Sequence, residues 1–186
     1  LHDALTHSGF RRSQNIAYRP ACEACRACRA TRVPVATFSH SKRWKRVWNK
    51  NADFIRTARP PTATREQYRL LMRYLNSRHQ DGGMSDMSLA DYVAMVEGSP
   101  VPSVIFEYRD SDADDAPLRA VAIADVLRDG LSMVYSFFDP DFAQRSVGSF
   151  LILDHIEHAR SLNLPYVYLG YWVNGSEKMN YKAEFR

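Results

Sequence analysis

Leu131-Ser132-Met133-Val134-Tyr135-Ser136-Phe137-Phe138, followed by Asp139-Pro140 and then Arg145-Ser146-Val147-Gly148-Ser149-Phe150, is the stretch on which the fold turns. Its first eight residues are β-rich, and Asp139-Pro140 ends the strand because proline has no amide to donate to a ladder. From Ser146 to Leu162 the pattern is helical, with Val147, Phe150, Leu151, Asp154 and His158 along one side. Leu164-Pro165 closes the helix, and Tyr166-Val167-Tyr168-Leu169-Gly170-Tyr171-Trp172-Val173 reads as a second, aromatic strand. Strand, helix and strand in this order make a parallel-type crossover.

Upstream, Val104 to Tyr108 and Leu118 to Leu127 are two further strands. An exposed acidic turn, Asp110 to Asp115, and the pair Asp129-Gly130 separate the three strands of a meander. Thr64-Arg65-Glu66-Gln67 has the form of a capping box. It opens a helix with Tyr68, Leu71, Met72 and Leu75 inward, ending before Asp81-Gly82-Gly83. Ser88 caps a second helix with Leu89, Tyr92, Val93 and Val96 inward and Gly98 near its end. The expected class is α+β, a mixed and mainly antiparallel sheet flanked by helices. Pro60-Pro61 marks an expected boundary between a basic, cysteine-containing N-terminal region, 1–60, and the α+β domain, 61–186.

With 186 residues, 45% hydrophobic and 25% charged, the chain can bury one good core or a larger and a smaller one. No apolar run approaches the roughly 20 residues that span a bilayer, and no secretory signal opens the chain, so the reading is a soluble cytoplasmic protein with no membrane partner. The start at Leu1 and the end at Arg186, inside a patterned segment, lead us to expect further sequence at both ends. Charge is unevenly spread: residues 1–60 carry 13 Lys and Arg against 3 acids, the remainder 12 against 18. Lys42, Arg43, Lys45, Arg46 and Lys50, interleaved with Trp44 and Trp48, suit a phosphate backbone with indoles available for stacking, or a solvated basic face whose tryptophans pack inward.

Cys22, Cys25 and Cys28 are the cysteines, at a spacing of three that lets thiolates converge on one ion. They read as a zinc or iron–sulfur site, with His7, His2 or an upstream cysteine as fourth ligand, or as three reduced thiols. After the aromatic strand, Ser176 to Arg186 is cationic and aromatic, a composition suited to gripping a polar chain end or a nucleotide.

The strand–helix–strand order resembles the GNAT acyltransferase core, in which a helix N-terminus holds a phosphate or acyl donor. Coenzyme A enzymes of that fold carry R/Q-x-x-G-x-G/A at the turn; here Phe150 fills the last, small position, which argues against a coenzyme A site. Gly9-Phe10-Arg11-Arg12-Ser13, Tyr18-Arg19-Pro20-Ala21-Cys22 through Cys28, Asn51-Ala52-Asp53, Tyr135 to Pro140, Tyr168 to Trp172 and Lys178-Met179-Asn180-Tyr181-Lys182 look like the aminoacyl-tRNA–protein transferases, in family order over nearly the whole chain. The Tyr-Arg-Pro-Ala-Cys form resembles the bacterial leucyl branch rather than the eukaryotic arginyl one. Two departures stand out: Ser176 occupies a position that is cysteine in many relatives, so no cysteine-acyl intermediate is expected there, and an earlier cysteine-containing segment of the family is missing.

The resemblance implies transfer of leucine from leucyl-tRNA to the α-amine of proteins that begin with Asp or Glu, marking them for N-degron degradation. No cofactor is required for this reaction. For the acceptor carboxylate, Arg11, Arg12, Arg19 and Arg186 are candidates, with Tyr18 and Tyr181 as hydroxyl donors. For the donor tRNA they are Lys42, Arg43, Trp44, Lys45, Arg46, Arg145, Ser146, Gly148, Lys178 and Lys182. Tyr168, Tyr171 and Trp172 are candidates for the leucyl or adenosine pocket, or are core strand residues. No catalytic residue is assigned: Asp139 and Asp154 could act as bases, but Asp139 before Pro140 is also an ordinary turn signal, and His155 and His158 read as packed or solvated. An arginyl-transferase would need a buried carboxylate in its pocket; a non-catalytic tRNA-binding module would ignore the aminoacyl group.

Overall fold

The computed structural model describes residues 1–78, 84, 86–113, 115–176 and 179–185. In chain order the elements are α1 (His2–His7), the hairpin β1 (Arg11–Ser13) and β2 (Ile16–Tyr18), β3 (Cys28–Pro34), α2 (Lys42–Lys50) and β4 (Ile55–Arg59). Then come α3 (Arg65–Arg78), α4 (Leu89–Glu97), β5 (Ser103–Arg109), β6 (Leu118–Leu127), β7 (Gly130–Phe138), α5 (Val147–Ser161) and β8 (Tyr166–Val173). Short 3-10 turns at Pro140–Arg145 and Asn180–Glu184 precede α5 and follow β8.

Six strands form one sheet in the order β3-β8-β7-β6-β5-β4. The meander β5-β6-β7 is antiparallel, and α5 returns the chain so that β8 lies parallel to β7. This is the expected mixed, mainly antiparallel α+β sheet. Both edge strands, β3 and β4, come from before Pro60, so the N-terminal region and the rest of the chain build one sheet.

Each face of the sheet has its own helical cover. On one, Trp44 and Val47 of α2 and Phe150 and Ile156 of α5 pack against Phe106, Leu131 and Val167. On the other, Leu71 and Leu75 of α3 and Tyr92 and Val96 of α4 cover Ile105, Val121, Ile123 and Phe137. Burial of each such side chain contributes about 1.5–3 kcal/mol. The α3 capping box is formed, Thr64 Oγ1 accepting from the Gln67 N–H at 3.1 Å and Gln67 Oε1 from the Thr64 N–H at 3.0 Å. Gln67 is itself buried, donating to Glu107 at 2.8 Å and accepting from the Tyr92 hydroxyl at 3.0 Å, which ties α3 to α4 and β5. The inward faces are rotated slightly from the expected sets: Leu70 and Met95 are buried where Tyr68 and Val93 are half-buried. The Asp81-Gly82-Gly83 stop lies outside the described residues.

Candidate active site

β7 and β8 pair in parallel through Gly130 with Tyr166, Leu131 with Val167 and Ser132 with Tyr168. Beyond these pairs the strands part, and a cleft of about 950 Å3 opens at the gap. Irregularities on both strands mark the divergence. The β6–β7 register slips between Ile123 and Ala124, and on β8 Gly170 adopts φ +81° next to a slip against β3. A residue with a Cβ is strained at that φ, which is why glycine stands there.

Met133, Val134, Phe138, Ile152, Leu169 and Met179 give the cleft an apolar lining. Its polar groups come from α3 (Tyr74, Ser77, Arg78), from β7 (Tyr135, Ser136), from the α5 start and from Tyr181 and Lys182. Burial pushes the Tyr135 phenol up to about 12 and raises Tyr74 and Tyr181 as well, so all three stay neutral at physiological pH.

At the α5 start Ser146 is left-handed, with φ 58° and ψ 43°, and its side chain caps nothing. Its carbonyl takes the N–H groups of Ser149 and Phe150, so the donors a ligand would meet are those of Val147 and Gly148. Two residues anchor this turn to α2. Buried Asn51 donates from Nδ2 to the carbonyls of Val47 at 2.8 Å and Arg145 at 3.0 Å, and both oxygens of Asp53 accept from Arg145 at 2.8 Å. Asn51-Ala52-Asp53 stood out in the sequence only as a match to the family; its work depends on a partner 92–94 positions away.

Phe150 does not fill this turn. Its ring packs among Trp48, Phe54 and Tyr108 while Ser146 to Ser149 face the cleft, so the bulk of Phe150 does not block an anion there. This corrects the steric ground on which a coenzyme A site was set aside.

Lys182 is a half-buried cation of the cleft. Its Nζ donates to the carbonyls of Leu169 at 2.8 Å and Tyr171 at 2.9 Å, on the part of β8 that has left β7. Burial, and then the charge of Arg11, lowers its pKa to about 8.

Of the residues named from sequence, the fold brings Ser146, Gly148, Tyr181 and Lys182 into one cleft. The other described ones lie elsewhere. Arg12 is clamped on Asp125, Nε to Oδ2 at 2.8 Å and Nη2 to Oδ1 at 2.7 Å, with both side chains buried. Arg11 is buried, donating from Nη2 to Thr31 and Gly170 carbonyls, with Nε and Nη1 enclosed and unpartnered. Arg19 is exposed, its guanidinium over the Phe10 ring. Tyr168 donates to Asp129 at 2.8 Å and stacks on His7 of α1, and Tyr171 donates to the carbonyls of Gly9 and Tyr18, so these two rings hold the N-terminal region on β8 and do not line the cleft. Tyr18 lies beside Tyr171, and Trp172 keeps a buried, unpartnered Nε1. Lys178 and Arg186 lie outside the described residues.

On α2 the indoles turn inward: Trp44 stacks on Phe185 at 4.3 Å and Trp48 packs on Phe150. Arg43 pairs with Glu184, while Lys42, Lys45, Arg46 and Lys50 line an open basic surface. The helix therefore offers phosphate-binding charge without an indole face. Asp139 is taken up by Arg73 and Arg119, both at 2.9 Å, and Asp154 by Arg56 and the Tyr108 hydroxyl. His155 is buried, bonded through Nδ1 to the Leu151 carbonyl, and burial pulls its pKa down to about 4. The residues that sequence reasoning missed are Tyr74, Ser77, Arg78 and Tyr135; the first three follow one face of α3, which carried no signal beyond helical spacing.

Two family profiles match, "Arginine-tRNA-protein transferase, N terminus" over residues 1–46 and "Arginine-tRNA-protein transferase, C terminus" over residues 66–186. The chain belongs to the arginine-tRNA–protein transferase family. It is 59% identical to the aspartate/glutamate leucyltransferase of Hyphomonas neptunium and 56% identical to that of Parvibaculum lavamentivorans, over its full length and 74% and 76% of theirs. It thus falls in the bacterial branch of these aminoacyltransferases. Among solved structures it resembles FemX, with a TM-score of 0.57 at 8% identity over 94% of this chain and 60% of that one. The C-terminal domain of a putative lysylphosphatidylglycerol synthetase from Agrobacterium fabrum gives 0.52 at 14% over 79% and 49%. These likenesses establish the GNAT-like fold.

Transfer from an aminoacyl ester, the chemistry of this family, is already activated and needs no cofactor. The expected zinc or iron–sulfur site does not fit the residues described. Cys22 and Cys25 are exposed and Cys28 half-buried, and no three Cys, His, Asp or Glu among the described residues converge. The proposed fourth ligands are engaged elsewhere, His7 on Asp129 at 2.8 Å and His2 beside Asp125 at 3.4 Å. Among the described residues no helix is long and apolar enough to cross a membrane.

Proposed function

We propose that this chain transfers leucine from leucyl-tRNA to the α-amino group of proteins beginning with Asp or Glu, in the cytoplasm, and so marks them for N-degron degradation. The observation that carries this reading is 53–59% identity along the whole chain to proteins named aspartate/glutamate leucyltransferase. The cleft lining favours leucyl over arginyl as the group transferred: it offers an apolar stretch, Met133, Val134, Ile152, Leu169 and Met179, its charged side chains are the cations Arg78 and Lys182, and it contains no Asp or Glu among the described residues. An arginyl group would leave a guanidinium without a counter-charge there.

The reaction asks more for placement than for covalent help. The acceptor amine, with a pKa near about 8, is partly neutral at physiological pH and can attack the ester carbonyl directly. The carbonyl carbon gains a bond to nitrogen, the bond to the ribose oxygen breaks, the amine loses a proton and the ribose oxygen gains one. The Val147 and Gly148 N–H groups are suited to a phosphate or to the developing oxyanion. The Lys182 ammonium lies in the same cleft and weighs on the same charge, an influence that fades above about pH 8. Lys42, Lys45, Arg46 and Lys50 would hold the tRNA backbone.

The test is a transfer assay with labelled leucyl-tRNA and arginyl-tRNA in parallel, against peptides beginning with Asp, Glu, Lys or Ala. Leucine on the Asp and Glu peptides alone is the expected result. Arginine in its place would overturn the donor assignment, and tRNA binding without transfer would favour a binding module.

A further inference from the structure

An enzyme that accepts N-terminal Asp or Glu must distinguish them from Asn and Gln by charge, and a forked guanidinium matches a carboxylate best. Arg12 is closed off by Asp125, and the unpartnered nitrogens of Arg11 are sealed from solvent, so neither is open to an incoming side chain. Among the described residues lining the cleft, the guanidinium is that of Arg78.

Arg78 leaves the C-terminal end of α3 and lies over the Phe138 ring, 5.4 Å from its centroid. A Cβ placed on Gly148 would stand 3.6 Å from Cε1 of the same ring. One aromatic ring therefore separates the guanidinium from the first turn of α5. The Arg78 guanidinium donates to the Tyr74 phenol oxygen, and no Asp or Glu among the described residues forms an ion pair with it. Ser77 and Tyr135 on the same wall can add hydroxyl donors.

The geometry points to Arg78 as the residue that selects acidic N-termini, its guanidinium taking the side-chain carboxylate of the acceptor's first residue from the α3 side of the cleft. This rests on the transfer reaction proposed above and deepens it. The short side chain of Asp or Glu keeps carboxylate and α-amine within a few ångströms, so anchoring the one on Arg78 presents the other toward the ester held at the α5 turn. Arg78 is exposed at the cleft wall, so its discrimination comes from the charge-assisted, bidentate pairing that a carboxylate makes with a guanidinium and a neutral amide does not.

The experiment measures binding of an Asp-initiated peptide and its Asn counterpart, without tRNA, to the full chain and to Arg78→Ala, Arg78→Gln, Arg78→Lys and Arg11→Ala, and the KM for leucyl-tRNA of each. The expected result is that Arg78→Ala and Arg78→Gln lose roughly 10–100-fold in affinity for the Asp peptide, with the Asn peptide and the leucyl-tRNA KM unmoved. Arg78→Lys retains part of the preference. The glutamine variant keeps the bulk and carries the same readout should the alanine variant unfold. Survival of the Asp preference in both, or its loss in Arg11→Ala instead, overturns the assignment. So does a raised leucyl-tRNA KM with the preference intact, which would give the guanidinium to a tRNA phosphate. If the wild type binds Asp peptides through Arg78 yet transfers no leucine, the failure belongs to the proposed reaction and not to Arg78.

Discussion

His155 shows how burial settles the state of a single titratable group. Its imidazole is enclosed against Phe106 with Nε2 unpartnered, and burial holds its pKa at about 4 against an ordinary 6.5. Above pH 6.5 both folded and unfolded states are neutral, and the group adds no pH dependence. Between pH 6.5 and about 4 the unfolded chain binds the proton and the folded one does not, so stability falls as pH falls through that window. The accumulated loss is on the order of 3 kcal/mol. Urea midpoints followed from pH 7 to 4 should fall less steeply in His155→Gln than in the wild type; parallel curves would mean that the histidine is not held neutral. Lys182 is shifted the same way for the same reason, but it lies in the cleft, so there the shift bears on substrate.

At the scale of elements, β8 is shared between two jobs. Its first three residues pair with β7, and past the divergence its carbonyls at Leu169 and Tyr171 are taken by Lys182, so the exposed ladder edge is satisfied by a side chain instead of a strand. Tyr168 and Tyr171 project from β8 to hold α1 and the β1–β2 hairpin, which Arg12 also fastens to β6 through Asp125. That clamp is buried, and Asp125 also accepts from the Ser103 hydroxyl at 2.8 Å. Asp125→Ala should therefore cost about 3–5 kcal/mol by leaving a buried guanidinium unpaired. A shift in the urea midpoint worth less than about 1 kcal/mol would show that the hairpin is loosely attached.

Across the whole molecule, the charge imbalance acquires a place: Lys42, Lys45, Arg46 and Lys50 line one open surface of α2, and Asn51 and Asp53, which follow that helix, tie to the turn that opens α5. Changing Lys42, Lys45 and Arg46 together to Ala should flatten the dependence of log Kd for tRNA on log salt by about 0.7–0.9 for each phosphate no longer neutralised. An unchanged slope would remove α2 from the tRNA path. The meander, the α5 crossover, the capping box at Thr64, the helix cap at Ser88 and the basic N-terminal third were legible in the sequence, because period, caps and charge are local properties of neighbouring residues. The residues that build the cleft were legible only in part. Ser146, Gly148, Tyr181 and Lys182 belong to segments with a signal of their own, whereas Tyr74, Ser77 and Arg78 sit on an ordinary amphipathic helix. Arg11, Arg12, Arg19 and Arg186 are candidates by residue type, and type does not say which guanidinium a carboxylate will reach. Asp125 lies 113 positions from Arg12, and only the packed sheet brings the two within 2.7 Å. The elements after Pro60, their order and the family are thus written in the chain itself, whereas the edge strands β3 and β4 are defined by the neighbours they pair with. Where β7 and β8 part, and which cations are left facing the gap, follow from tertiary packing, because ion pairing and strand divergence depend on partners that only folding brings together.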